Sequence, residues 1–469
     1  MTALVERANL DYLLDWPSLS RCCLEKALPL TMGASSRNHF EEPWRQGRHV
    51  SRYRWCSADA WSLSNVDDSS EAHLTSEMAY TKGPAMNRGL GRLVSVADFR
   101  ELAKRRLPKA VFEFVDGGAE DEVTLGANLE AFNRRPIVPR ILTDVSTPDI
   151  SLSFLGAPLS TPLAICPMGS CALVRPGADF AIASAAAARG IPYTLSTMST
   201  AGMEEMARRS DGPLWFQLYV LKDRDFNESL IARAAALGYA ALVVTVDLQA
   251  GGKREKDLRN GISIPLRLTA RTLVDGALHP RWAYRQLSGG LPQFENVRGY
   301  LNDKGAGLTI AARVGQNLDA AFDWDGLKRI RDLWQGHLIV KGMMHADDAI
   351  AVAEMGADAL WLSNHGGRQL DGAPASLDAL EMIADRLDGR LPIVLDSGVR
   401  RGRDILKARA LGATVVAVGR AALFGAVAGQ AGVSRVLDIL LDELALAMKL
   451  SGQPRLSDVN RTLLAPKES

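Results

Sequence analysis

Residues 392–419 read PIVLDSGVRRGRDILKARALGATVVAVG. The stretch opens on a short apolar run, Pro392–Ser397, that carries Asp396 near its end. A corner rich in glycine and arginine follows, then a helical segment closing at Gly412, then a second apolar run, Val415–Gly419. Short apolar runs bounded by turn residues suit strands buried on both faces of a parallel sheet. A glycine at the end of a helical segment suits the left-handed residue that closes it. One strand, its crossover helix and the next strand are therefore contained in this single stretch.

Working back towards the N-terminus, the same unit recurs. The earlier runs are Leu163–Cys166, Tyr193–Ser196, Leu214–Tyr219, Ala241–Asp247, His337–Gly342 and Ala359–Asn364, with Gly190, Gly238 and Gly356 in the place of Gly412. Eight strand–helix units predict an α/β fold, a TIM (β/α)8 barrel. The alternative is an open doubly wound sheet. No Gly-x-Gly-x-x-Gly follows the first strand, which counts against a dinucleotide-binding version of it. Gly412–Val433 has the length of a membrane span, but it is glycine-rich and carries Arg420, so a strand running into a helix explains it better.

The totals set the remaining bounds. Apolar residues make up 47% of 469, enough for a large core, and the net charge of +1 gives no nucleic-acid footprint. Five cysteines (Cys22, Cys23, Cys56, Cys166 and Cys171) without a Cys-x-x-Cys spacing predict reduced thiols in a cytoplasmic protein, and no metal site is expected. Glu6, Asp11 and Asp15 interrupt any signal-peptide core. Residues 1–85 show no sustained period and predict a poorly ordered, irregular extension, with Met86 a plausible alternative start; residues 86–469 are expected to form the (β/α)8 domain. Val94–Arg106 predicts a helix with Ser95 as N-cap and Pro108 beyond its end.

The unit after strand 4 carries a long insertion, from Asp247 to a helix near Trp324. Ile262–Tyr300 mixes apolar residues with Arg267, Arg271, Arg281, Arg285, Arg298, Trp282 and Tyr284. Two readings stand: a lid or disordered surface loop, or an interfacial segment whose basic residues meet anionic lipid while its aromatics sit at headgroup level.

Barrel chemistry sits at the C-terminal strand ends. Polar residues there are Gln217 and Tyr219, Thr245 and Asp247, Lys341, Ser363 and His365, Asp396, then Gly419 and Arg420. A charge at a buried strand end is costly without a partner. One such residue could be a structural ion pair; several converging on one rim are harder to explain that way. A lone histidine is more often structural. His365, however, precedes Gly366 and Gly367, which allow a tight turn, and Arg368, whose planar fork fits a carboxylate. That pairing suits proton abstraction from an acid substrate. Asp396-Ser397-Gly398-Val399-Arg400 and Gly419-Arg420 read as two phosphate corners after strands 7 and 8, the first backed by free N–H groups of the following helix.

Ser363-Asn364-His365-Gly366-Gly367-Arg368-Gln369-Leu370-Asp371, with Leu107-Pro108-Lys109 and Gly117-Gly118-Ala119-Glu120-Asp121, resembles the FMN-dependent 2-hydroxy acid dehydrogenase and oxidase family over Val94–Gly452. Leu214–Tyr219 and Leu278-His279-Pro280-Arg281-Trp282 are most similar to its membrane-associated (S)-mandelate dehydrogenase branch. The resemblance implies FMN as cofactor. Pro167, Met168 and Gly169 would line its ring, and Ser196, Gln217 and Thr245 would hydrogen-bond it. Lys341 would face N1 and O2, near Ser363. Asp396 would bind ribityl hydroxyls, with Arg400, Gly419 and Arg420 on the phosphate beside Ser397 and Gly398. Tyr219, Arg254 and Arg368 would orient the substrate. His365 would be the base, with Asp247 stabilising its imidazolium form.

The implied reaction converts an L-2-hydroxy acid, lactate-like or mandelate-like, into the 2-keto acid. Electrons would pass to a quinone-type acceptor. The implied state is a homo-oligomer, cytoplasmic or peripheral on the inner face of the cytoplasmic membrane. Two departures shape the expectation. Phe114 stands where the family usually has a tyrosine, which predicts a weaker hold on small acids and more room for apolar side chains. Gly169 stands where many oxidases have alanine, which favours the dehydrogenase branch. His39, His49 and His73 lie outside any His-Pro-Gly-Gly motif, so no haem domain is expected. An oxidase releasing peroxide and a silent FMN-binding scaffold are the rival readings.

Overall fold

Eight parallel strands close on themselves in the computed structural model: β1 (Leu163–Ile165), β2 (Tyr193–Ser196), β3 (Leu214–Tyr219), β4 (Ala241–Thr245), β5 (His337–Met343), β6 (Ala359–Leu362), β7 (Ile393–Leu395) and β8 (Val415–Val418). Each pairs with its sequence neighbour, and β8 pairs with both β7 and β1. The barrel and all eight expected strands are therefore present, and the open-sheet alternative is excluded. The described residues run from 89 to 466 without 262–269, 291, 299 and 301–315. The expected extension, residues 1–85, lies outside them, as do Arg267, Cys22, Cys23 and Cys56.

The strands alternate. Ala164, Trp215, Val243, Ile339, Trp361, Val394 and Ala417 point into the barrel, whereas Leu163, Phe216, Leu242, Val340, Leu360, Leu395 and Val416 join the larger core under the helices. Period-2 alternation on strands buried on both faces makes this division. Two indoles fill the interior: Trp215 and Trp361 meet edge to face at 6.2 Å. A hairpin, Leu152–Phe154 with Ala157–Leu159, closes the N-terminal mouth, its Phe154 ring 5.7 Å from Trp215.

Local signals act as expected. Ser95 caps Val96–Arg106 in a reciprocal pair with Asp98. Gly190, Gly238, Gly356 and Gly412 all have positive φ. Residues 412–433 form the end of one unit, β8 and the helix Arg420–Ala426, and no helix among the described residues is long and apolar enough to cross a membrane. Among the described residues the insertion contains a short helix, Glu255–Asn260, and two longer ones, Ala270–Leu278 and Pro280–Gly289.

Candidate active site

Parallel register gathers the polar strand ends on one rim. Tyr219 pairs with Thr245, and Thr245 with Lys341. Ser196 pairs with Gln217 deeper in the barrel. A cavity of about 320 Å³ opens above them. Phe114, Pro167, Met168, Gly169, Tyr219 and Thr245 line one part; Arg254, Lys341, His365 and Arg368 line another; Asp396, Ser397, Gly398, Arg400, Gly419 and Arg420 line a third. Three expected contacts lie behind this surface. Ser196, Gln217 and Ser363 are buried beneath the lining, where Ser196 Oγ donates to Gln217 Oε1 at 2.8 Å.

His365 follows β6 with φ 57°, a left-handed conformation that a non-glycine residue adopts only under constraint. Side chains supply that constraint. The His365 amide donates to Ser363 Oγ at 3.0 Å, Gly366 to Ser397 Oγ at 3.1 Å, and Gly367 to Asn364 Oδ1 at 3.1 Å. The imidazole Nδ1 lies 3.1 Å from Asp247 Oδ1 and Nε2 lies 3.2 Å from the Tyr219 hydroxyl. An ionised carboxylate only accepts, so Nδ1 carries the proton and Nε2 keeps its lone pair towards the cavity side.

Asp247 acts from behind, lining a neighbouring cavity rather than this one. Burial pushes its carboxyl up, but His365 and Lys341 outweigh that effect and hold it below the ordinary carboxylate value. Gly342, at the irregularity in the β5–β6 pairing, makes the space: a Cβ there would lie 2.7 Å from the Asp247 Cβ. Burial pushes the Tyr219 phenol up to about 12, so it remains a hydroxyl. Lys341 Nζ donates to Ser363 Oγ at 2.7 Å and stands 3.6 Å from Asp396. Burial favours its neutral form, but Asp396 and Asp247 prevail and raise its pKa, so it is a fixed cation. Asp396 in turn accepts from the Trp361 indole at 3.0 Å and the Ser397 hydroxyl at 2.7 Å.

Positive charge exceeds negative charge around the cavity. Arg368 Nη1 donates to the carbonyls of Phe114 and Gly117, at 2.7 and 3.0 Å, with its guanidinium 5.2 Å above the Phe114 ring. Arg420 donates to the carbonyls of Val115 and Gly117. Arg254 pairs with Asp257 at 3.3 Å, but among the described residues no carboxylate lies within ion-pair distance of Arg368, Arg400 or Arg420. Burial first, then neighbouring arginines, lowers the pKa of Arg368 and Arg400. Buried cations in this condition fit anionic ligands, a phosphate on the Arg400–Arg420 side and a carboxylate at Arg368. Two buried polar atoms, Gln217 Nε2 and Thr245 Oγ1, also have no hydrogen-bond partner among the described residues. A flat heterocycle with polar edges and a phosphate tail, as in FMN, fits this donor set.

Two expectations need correction. Three amides at the start of the helix Gly402–Ala410 are not free: those of Arg400 and Arg401 donate to Asp404, and that of Gly402 donates to Glu443. An acid at the third helical position satisfies its own helix start, so these amides are not the corner's anion donors, and the side chains of Arg400 and Arg420 with the backbone at Gly419 face the cavity instead. Trp282 is not placed for a lipid headgroup. Its indole donates to the Leu173 carbonyl at 2.8 Å, and Gln286 reaches the Ala172 carbonyl at 2.8 Å, docking the helix Pro280–Gly289 on the barrel.

Sequence reasoning missed Phe294 and Leu318, insertion residues that wall the cavity, because an apolar residue in an irregular segment gives no signal. It also missed the paired amides of Asn128 and Asn364, 2.8 and 2.9 Å apart, that tie the helix Val123–Asn133 to the His365 turn. Gln369 clips the loop after β4 by donating to the Asp247 and Ala250 carbonyls.

Comparison with known proteins agrees with this geometry. The chain is 42% identical over 376 residues to an L-lactate dehydrogenase of Caulobacter vibrioides, covering 80% of this chain and 98% of the other. It is 40% identical over 370 residues to an (S)-mandelate dehydrogenase of Pseudomonas putida, covering 78% and 93%. A solved structure of the monotopic membrane protein (S)-mandelate dehydrogenase superposes with a TM-score of 0.76 at 40% identity, covering 80% and 99%. The family profile described as FMN-dependent dehydrogenase matches residues 103–466, and the chain belongs to that family.

Proposed function

We propose that the protein oxidises an L-2-hydroxy acid with an apolar side chain, lactate-like or mandelate-like, to the 2-keto acid, and delivers the electrons to a quinone-type acceptor at a membrane surface. One observation carries the reading: Asp247, His365 and Tyr219 form a hydrogen-bonded chain beside Arg368, which has no carboxylate partner among the described residues. The activities of the similar L-lactate and (S)-mandelate dehydrogenases support the substrate class.

FMN, when bound, supplies the two-electron acceptor for the substrate. Gln217, Thr245 and Lys341 would hold its ring over Pro167, Met168 and Gly169. Asp396 would take the ribityl hydroxyls, and Arg400, Gly419 and Arg420 the phosphate. The protein's own part is positioning and proton management. Arg368 binds the substrate carboxylate as a planar fork. Arg254 adds charge at the mouth, and the Tyr219 hydroxyl, which meets His365 Nε2 in the free site, turns to donate towards the polar end of the substrate when it binds. His365 Nε2 takes the proton, and Asp247 stabilises the imidazolium that results. Phe114, Phe294, Leu318 and Leu248 give the substrate side chain an apolar wall and exclude water.

Gly169 supports a dehydrogenase rather than an oxidase, through the family pattern. The inner face of the cytoplasmic membrane is the location this reading assigns, and the surface supports its interfacial part. Val274, Leu278, Tyr284 and Leu287 are exposed on the two longer insertion helices, an arrangement that suits contact with a bilayer surface. A homo-oligomeric state rests on the family resemblance. Turnover of (S)-mandelate, L-lactate and glycolate with a short-chain ubiquinone, with peroxide followed in parallel, tests the whole reading. Preference for the two bulkier acids with quinone reduction is expected; preference for glycolate, or peroxide in step with substrate consumption, would overturn it.

A further inference from the structure

A second cavity, of about 530 Å³, lies beside the active site and shares Val174 with it. Its charge is one-sided. Arg105 and Arg106 end the first long helix, Arg175 follows β1, and Arg281 and Arg285 lie on the insertion helix Pro280–Gly289. No carboxylate among the described residues is within 4.0 Å of any of the five guanidinium groups. The Asp275 carboxylate stands 3.4 Å from His279 Nδ1, a residue of the same wall.

The fold builds this cluster deliberately close. Arg281 and Arg285 are four residues apart and share a helix face, where like charges repel. Trp282 and Gln286, on the adjoining face, anchor the same helix to the carbonyls of Ala172 and Leu173. That docking sets Arg285 close to Arg175 and Arg106, and Arg281 close to Arg106. Arg175 itself lies flat on Gly429, where a Cβ would come within 3.4 Å of its guanidinium carbon. Burial pushes Arg106 and Arg175 below the ordinary arginine value, and the neighbouring arginines push them further. Repulsion of this kind, held in place by hydrogen bonds elsewhere, is relieved by a multivalent anion.

We propose that this arginine cavity binds the phosphate of an anionic phospholipid headgroup, with the exposed Leu278 at its edge meeting the acyl region. The phosphate chemistry stands on the five arginines; the choice of a lipid over free phosphate rests on the interfacial reading of the insertion helices. The site would then seat the mouth of the active-site cavity at the bilayer, where a quinone-type acceptor resides.

The test titrates the FMN-loaded full chain with dihexanoyl phosphatidylglycerol below its micelle concentration, and separately with inorganic phosphate, by calorimetry. One lipid per chain is expected, with phosphate weaker by about tenfold or more and displaced by the lipid. In the triple variant Arg175→Gln, Arg281→Gln, Arg285→Gln, lipid affinity should fall by about tenfold or more, while flavin content and turnover with a soluble acceptor stay unchanged. Unchanged lipid affinity in that variant, or phosphate binding as tight as the lipid, would overturn the proposal. Sedimentation with neutral vesicles tests the interfacial reading by itself: loss of vesicle binding with one-to-one lipid titration intact sinks that reading and leaves the site standing.

Discussion

His365 Nδ1 lies 3.1 Å from Asp247 Oδ1, although 118 residues separate them in the chain. Asp247 comes from the loop after β4 and His365 from the loop after β6, with β5 between them. Gly342 of β5, lacking a side chain, lets the contact pass. The barrel thus fixes the imidazole by one nitrogen and turns the other to the cavity.

Asp247→Asn keeps the shape of this contact and removes its charge. The imidazolium formed during turnover would then be buried without its partner, at a cost of about 3 kcal/mol, or roughly a hundredfold in kcat. Flavin content should be unchanged. Steady-state kinetics with absorbance of the bound flavin checks both.

The same pair sets a pH dependence of stability. The folded Asp247 carboxyl is held below its ordinary value. A depressed carboxylate adds stability above its unfolded pKa and loses it as pH falls through the folded one. The melting-temperature gap between wild type and Asp247→Asn should therefore be widest near neutral pH and close below about pH 4. Thermal melts across that range measure it; a gap that widens in acid contradicts the sign.

Phe114 stacks under the Arg368 guanidinium without offering it a hydroxyl. Phe114→Tyr adds one donor near the carboxylate site, worth about 1 kcal/mol. kcat/KM for glycolate should rise about fivefold, and that for mandelate less, because the new hydroxyl takes room from its apolar side chain. A competition assay with both acids reads the ratio directly.

Gly398 has φ 93°, and a Cβ there would run into the Asn128 carbonyl oxygen. Gly398→Ala should lower stability by about 1–3 kcal/mol and release FMN more readily, because Ser397 and Arg400 flank it. Thermal melting and flavin content after gel filtration check this.

Much of the architecture was legible because strands buried on both faces leave continuous apolar runs, and because glycines mark the helix ends. The rim was legible because chemistry needs charged residues where burial disfavours them, as at Lys341 and Asp396. Contacts that depend on three dimensions were not. Asp371 accepts the amides of Val123 and Thr124, capping a helix 247 residues away in sequence from its Thr124 contact. Trp282 has the composition of a lipid anchor but turns inward to Leu173. Asp404 and Glu443 consume the amides that the Gly402 helix start would otherwise offer.

The most direct test of His365 as the base is anaerobic mixing of (S)-mandelate with FMN-loaded wild type and His365→Gln, followed by bleaching of the flavin absorbance. Wild type should bleach rapidly. The variant, with flavin retained, should bleach slower by about 10²–10⁴-fold. Bleaching of the variant at the wild-type rate would contradict the account.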